Sequence, residues 1–360
     1  MHMADALLAP AVAATMYVAS GTAAGISVKK LKKDQNPQKL PTMAVTAALV
    51  FAGQMINYTI PGTGSSGHMC GGMMLSALLG PQAGFLSMVV ILAIQSLFFA
   101  DGGLMALGAN CWNMAFYGCF VGYYLIWRPV MRSGMFGKME VKAAARAKII
   151  AASIIGCIIT LQLGSFSVVV ETSLSGITEL PFGAFCALMQ PIHLAIGLIE
   201  GLITSAVLVF VFTSRPELLQ DVNSEEKGLE AKRSLKSTVV IIAAAAALVG
   251  GVLSLIASSN PDGLEWALFG NAEAGYSENM ALDEENYGIK SKAADASASI
   301  QEATAILPDY AFADNDSAAG TSASGLIGSA MVAAVAAGIC LLGGFFRKKK
   351  GGGLNIRQAA

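Results

Sequence analysis

FCALMQPIHLAIGLIEGLITSAVLVFVFT, residues 185–213, runs straight into SRPELLQDVNSEEKGLEAKRSLKS, residues 214–237. The first segment is apolar well beyond the ~20 residues that a helix needs to cross a bilayer, and the second is charged and polar. The same alternation recurs along the chain. Nine apolar stretches read as spans: 4–28, 42–60, 67–81, 83–100, 105–128, 147–171, 185–213, 238–257 and 325–346. The third and fourth meet at the helix-breaking turn Leu79-Gly80-Pro81-Gln82, and the third is short, so a re-entrant or broken helix is an open alternative there. With 54% apolar and 13% charged residues, against ~25% charged in soluble domains, the chain reads as an all-α integral membrane protein.

The basic residues set an orientation. With the N-terminus outside, the inner segments are 29–41, 128–148, 214–237 and 347–360, and they hold five, six, five and five Lys or Arg, 21 of the 23 in the chain. Lys290 and Lys292 are the other two, in an otherwise acidic outer loop. This positive-inside pattern predicts nine spans, an outer N-terminus and a cytoplasmic C-terminus. A cleaved signal peptide is not expected, because Lys29, Lys30, Lys32 and Lys33 follow the first apolar run instead of preceding it. The basic loops are topology determinants, so a nucleic-acid partner is excluded and membrane lipid is expected. Six scattered cysteines without a CxxC pair argue against a disulfide framework or structural zinc.

Four parts follow: a bundle of seven spans over 1–213, a cytoplasmic linker over 214–237, a two-span part over 238–346 carrying the outer loop 258–324, and a basic tail over 347–360. The outer loop is rich in Ala, Ser, Asp and Glu, and a loop of that length is functional or mobile. Turn-like islands punctuate it at Pro261-Asp262-Gly263-Leu264-Glu265-Trp266 and Leu307-Pro308-Asp309-Tyr310.

PGTGSSGH, residues 61–68, spaces its glycines like a phosphate-binding loop, but His68 and Met69 replace the required Lys and Ser/Thr. It also joins two spans in place of a strand and a helix, so nucleotide binding is rejected. Its glycines instead allow close backbone approach. His68 gains meaning from Met1-His2. The α-amine of Met1, the backbone nitrogen of His2 and the His2 imidazole can close two adjoining chelate rings around a metal ion. His68, on the same expected face, would complete a four-nitrogen plane suited to Ni(II) or Cu(II). Gln54, Asn57, Asn110, Asn113, His193 and Glu200 are intramembrane polar groups, and such groups mark a functional site or tie helices together. His193 and Glu200 share one helical face. Ser66, Gly67, Asn110, Asn113, His193 and Glu200 are candidates for supporting the site or coupling it to the bundle. Gly118, Gly122, Gly197 and Gly201 read as close helix packing.

MHMADALLAP, GTGSSGHMCGGMM, LGPQAG, FADGGLMALGANCWNMA and HLAIGLIEGLIT, in this order over about residues 1–213, closely resemble the nickel/cobalt substrate-capture components of energy-coupling-factor ABC transporters, the CbiM/NikM family. The 238–346 part, with PDGLEWA and LPDYAFA, resembles the accessory NikN or PDGLE component, so the whole resembles a fused NikMN-type protein. The resemblance implies a seven-helix bundle whose N-terminal tail inserts into an outer cavity. It implies a transported Ni(II) or Co(II) held by Met1, His2 and His68, and no cofactor. It also implies an energy-coupling transmembrane subunit and ATPase subunits as partners in a prokaryotic cell membrane. Nickel is expected ahead of cobalt, with cobalt uptake for cobalamin biosynthesis as the alternative. The tail reads MADALL where the family carries a glycine and an aromatic. A secondary transporter predicts repeat symmetry that the chain lacks. An intramembrane enzyme needs a nucleophile–base or metal–base pair for which no motif is present, so the chain is expected not to be an enzyme.

Overall fold

Pro10, at the first helical position, opens α1 (Pro10–Leu31), where its missing N–H costs nothing, and Lys29 and Lys30 complement the helix dipole in the last turn. The structure, a computed structural model, describes residues 2–32, 39–177, 179–272, 275, 280, 282–283, 287–312 and 318–351. After α2 (Lys39–Gln54) the chain turns back in a hairpin of β1 (Tyr58–Ile60) and β2 (Ser65–Gly67), antiparallel with Tyr58 opposite Gly67 and Ile60 opposite Ser65. Gly62 and Gly64, at φ 78° and 70°, make the turn, so PGTGSSGH builds a hairpin and not a phosphate cradle.

The short third stretch is α3 (Gly72–Leu79), eight residues and wholly buried, which at 1.5 Å per residue is about 12 Å long and cannot cross a bilayer. Gly80, at φ 81° and ψ 161°, breaks the chain before Pro81 starts α4 (Pro81–Phe99). A buried helix must satisfy its terminal backbone groups without water. The Glu200 carboxylate accepts the Cys70 and Gly71 N–H groups at 2.8 Å each. At the other end, Gln220 donates its backbone N–H to Ala77 O at 2.8 Å and its side-chain amide to Leu78 O at 3.0 Å.

Next, α5 runs through Leu107–Asn110, Cys111–Trp127 and Arg128–Arg132, its middle stretch wound wider than an α-helix, as in the Arg128 N–H to Tyr123 O bond. The long helices α6 (Val141–Leu174) and α7 (Phe182–Ser214) follow. A Cβ on Gly197 would come within 2.9 Å of Ile158 Cα, and one on Gly201 within 2.6 Å of Ile154 Cα. One on Gly118 would lie 2.8 Å from Gly72 Cα, and one on Gly122 2.9 Å from Thr160 Cγ2. All four glycines expected to mark close packing do so.

The remaining helices are α8 (Leu235–Gly251), α9 (Gly263–Phe269), α10 (Lys292–Thr304) and α11 (Ala318–Gly351). Helices α8 and α11 cross at Gly250 and Gly325 and flank α2. Six described helices are long and apolar enough to cross a membrane, within α1, α4, α6, α7, α8 with the turn after it, and α11. Of the other three expected stretches, 42–60 divides between α2 and the hairpin, 67–81 holds the short α3, and 105–128 forms the wide α5. Large apolar side chains project outward, such as Val18 on α1 and Leu125 on α5, each 70% exposed. The end of the bundle away from the hairpin is basic. There Arg132 pairs with Asp221, and the buried Lys148 meets Glu226 at 3.2 Å.

Candidate metal centre

The tail sits in the bundle because its apolar residues are buried there: Met3, Leu7 and Leu8 are at most 1% exposed. Asn110, on α5, pairs with the Met3 backbone on both sides, accepting the Met3 N–H at 2.8 Å and donating to Met3 O at 3.2 Å. Met3 O also takes the Gly103 N–H at 2.9 Å, and Asp5 accepts from Ala106 N–H at 2.9 Å. A side chain at Gly103 would collide with the tail, since its Cβ would lie 2.6 Å from Asp5 N. Asn113 donates to Glu171 at 2.8 Å and faces Met3 Sδ at 3.6 Å.

This seating brings His2 beside His68. Their rings stack with centroids 5.2 Å apart and planes inclined by 11°. His68 Nδ1 bonds Met69 O at 3.1 Å, and its Nε2 lies 3.9 Å from Asp262 Oδ2. His2 Nδ1 lies 3.1 Å from Asp101 Oδ1, while its Nε2 is buried without a hydrogen-bond partner among the described residues. Asp101 also accepts from the Tyr310 hydroxyl. Burial alone would raise the Asp101 carboxyl, but the neighbouring His2 and the hydrogen bonds from His2 and Tyr310 hold it well below the usual range. A cavity of about 560 Å³ opens beside the pair, lined by His2, Asp5, Asp101, Asp262, Glu265 and Asp295 among others.

The described residues of 257–312 roof this end. Asn57 O accepts from Ser258 N–H at 2.7 Å. The Ser66 N–H and hydroxyl bond Pro261 O at 2.8 Å and Asn260 O at 2.7 Å. Asp262 then caps α9 together with Glu265 in a reciprocal capping box. Ile289 N–H reaches Ala6 O at 2.8 Å, and Gln301 bridges Ser96 O and Gly102 O at 3.0 and 2.9 Å. The outer loop thus docks on the tail and the hairpin through these described residues.

Of the residues singled out in the sequence, Met1 lies outside the described residues, and His2 and His68 meet. Asn110 grips the tail, and Ser66 holds the segment that carries Asp262. Gly67 lets Ile196 approach, where a Cβ would come within 2.7 Å of Ile196 Cδ1. Glu200 anchors the loop after His68, and Gln54 supports it by donating to Cys70 O at 2.7 Å. His193 bonds Met189 O at 2.8 Å through Nδ1, and its buried Nε2 has no partner among the described residues. Asp101, Asp262 and Tyr310 were not singled out, although they sit in the conspicuous strings DGG, PDGLE and LPDY. Among the described residues no three His, Cys, Asp or Glu side chains stand together as a metal site. Backbone nitrogen donors would have to complete one.

Residues 2–218 match the family model described as the cobalt uptake substrate-specific transmembrane region, CbiM, and residues 236–343 match the PDGLE domain. A relative from Archaeoglobus fulgidus, named as a fused nickel transport protein NikMN, is 33% identical over 338 residues, covering 93% of this chain and 96% of that one. A Haloquadratum walsbyi protein named for metal transport is 33% identical over 221 residues, 61% of this chain and 93% of its own. The fused nickel transport protein NikMN of Rhodobacter capsulatus is 31% identical over 222 residues, 61% of this chain and 64% of its own. The chain therefore belongs to the CbiM family of substrate-specific transmembrane proteins, with a PDGLE domain fused behind that region.

Proposed function

We propose that the protein captures Ni(II), with Co(II) as the alternative cargo, and delivers it into the cell as the substrate-binding membrane component of an energy-coupling-factor ABC transporter. Met1 supplies its amine, His2 its backbone nitrogen and imidazole, and His68 its Nε2. A four-nitrogen plane favours Ni(II) on geometry, and the general affinity order places nickel above cobalt. The observation that carries this reading is the stacking of His2 on His68, 66 positions apart in sequence, with centroids 5.2 Å apart.

The finer reading keeps a capture part over 1–213 with seven helices, a linker over 214–237, an accessory part over 238–346 and a basic tail over 347–360. It has nine spans, with α3 counted as one broken within the bundle, an outer N-terminus and a cytoplasmic C-terminus. The chain carries no nucleotide motif, so ATP hydrolysis belongs to separate subunits reached through a coupling membrane protein. The names of the relatives support nickel, and the description of the family model supports cobalt.

Metal analysis of protein purified with an untagged N-terminus tests the site. One nickel per chain is expected, lost both in His68→Ala and when a residue is inserted between Met1 and His2. Equal nickel content in the insertion variant would end the chelate model, and cobalt in place of nickel would select the alternative cargo.

A further inference from the structure

The two chelate rings of the proposed site close only through His2 Nδ1, because Nε2 lies on the far side of the imidazole from its own backbone nitrogen. Yet Nδ1 is the nitrogen that faces Asp101 Oδ1 at 3.1 Å, while Nε2 is buried and has no partner among the described residues. Such an orphaned nitrogen is costly to keep and calls for an explanation. Asp101 is itself held in place. It follows Ala100 in the left-handed region at φ 56°, its N–H bonds Gln95 O at 3.1 Å, and its second oxygen takes the Tyr310 hydroxyl. Tyr310 belongs to the accessory segment and stacks on Phe99 at 5.0 Å. Gly102 leaves the imidazole room, since a Cβ there would lie 3.7 Å from His2 Cδ2 and 3.1 Å from His2 Cβ.

We infer that Asp101 is a positioning residue that exchanges its grip from one nitrogen of His2 to the other when the metal arrives, and that Tyr310 ties this grip to the accessory part. This rests on the proposed metal site. In the arrangement seen here Asp101 holds Nδ1–H and keeps the empty tail seated. On capture the ring turns by half a turn about Cβ–Cγ, Nδ1 goes to the metal, and Nε2–H goes to the carboxylate. The metal displaces the Nδ1 proton to solvent, and Nε2 carries the proton that faces the carboxylate. The loaded state then has the carboxylate–histidine–metal geometry in which the carboxylate fixes the ring and strengthens it as a donor.

The full chain, in nanodiscs and with its native N-terminus, carries the test, with nickel(II) chloride as the probe. Three histidines in 360 residues make a spectrum of histidine-labelled ¹⁵N resolvable residue by residue. A planar four-nitrogen Ni(II) complex is diamagnetic, so it can be observed too. The expected result is His2 with its proton on Nδ1 before nickel and on Nε2 after it. Asp101→Asn should bind nickel roughly ten- to a hundredfold more weakly and shift the visible absorption band of the bound metal. Tyr310→Phe should weaken binding several-fold with a smaller shift in the same direction. Met3→Ala serves as the structural control, since it loosens the tail and lowers affinity while the band stays in place. Nickel binding of wild-type strength and band in Asp101→Asn, or a His2 proton that does not change nitrogen, overturns the inference while the metal site stands. Wild-type binding that is indifferent to His68→Ala overturns the metal site and this inference with it.

Discussion

Asn110 shows what a single side chain contributes at the residue scale. Its amide pairs with both backbone groups of Met3 across 107 positions of sequence. Asn110→Ala takes away the partner of the buried Met3 N–H, at ~1–3 kcal/mol, while Met3 O keeps the Gly103 N–H. Amide hydrogen exchange over residues 3–8 should therefore speed up by on the order of tenfold or more, while α6 and α7 keep their protection. Unchanged exchange in the tail would show that its apolar burial alone holds it. The sequence marked Asn110 as an intramembrane polar group, but composition and spacing carry no information about a partner a hundred residues away.

At the scale of elements, α3 is the hinge of the account. Its break was legible, since Gly-Pro at 80–81 forbids a continuous helix and the stretch before it is too short to span. What holds a helix of eight residues in a dry interior was not, because the groups that close its ends come from α7 and from the linker behind it. Glu200 was legible as a costly buried carboxylate, and only the fold reveals that it pays for itself by taking two N–H groups just ahead of α3. Glu200→Gln keeps one acceptor oxygen and turns a donor towards the second N–H. It should cost ~1.5–3 kcal/mol, the range for hydrogen bonds to a charged partner. The Cys70 and Gly71 amides should exchange faster and the melting temperature should fall. If both amides keep their protection, the carboxylate is not the anchor. The wide winding of α5 had no signature in its apolar pattern, which fits a span of either pitch.

Across the whole molecule, the described residues of 257–312 find their core in the other part of the chain. Leu264, Ala267, Leu268 and Leu307 are each at most 5% exposed, packed with the bundle in place of one another alone. The turn islands, read from sequence as punctuation, are docking points: Pro261 on Ser66, Gly263 against α7, and Tyr310 on Asp101. Gly263 is where that docking can be tested without touching a proposed ligand. A Cβ there would come within 3.2 Å of His193 Cε1, Ile192 Cγ2 and Ile196 Cδ1, tight enough that either α9 or α7 must give way. Gly263→Val adds two further methyl groups and should lift α9, because α7 is fixed by its close packing on α6 at Gly197 and Gly201. The roof then loosens: the Ser66 amide and the tail amides should exchange faster, while α4 to α7 stay protected. Under the proposed function nickel should also dissociate faster from this variant. Faster exchange confined to α9, with tail and hairpin unmoved, would mean that the accessory part merely rests on the site.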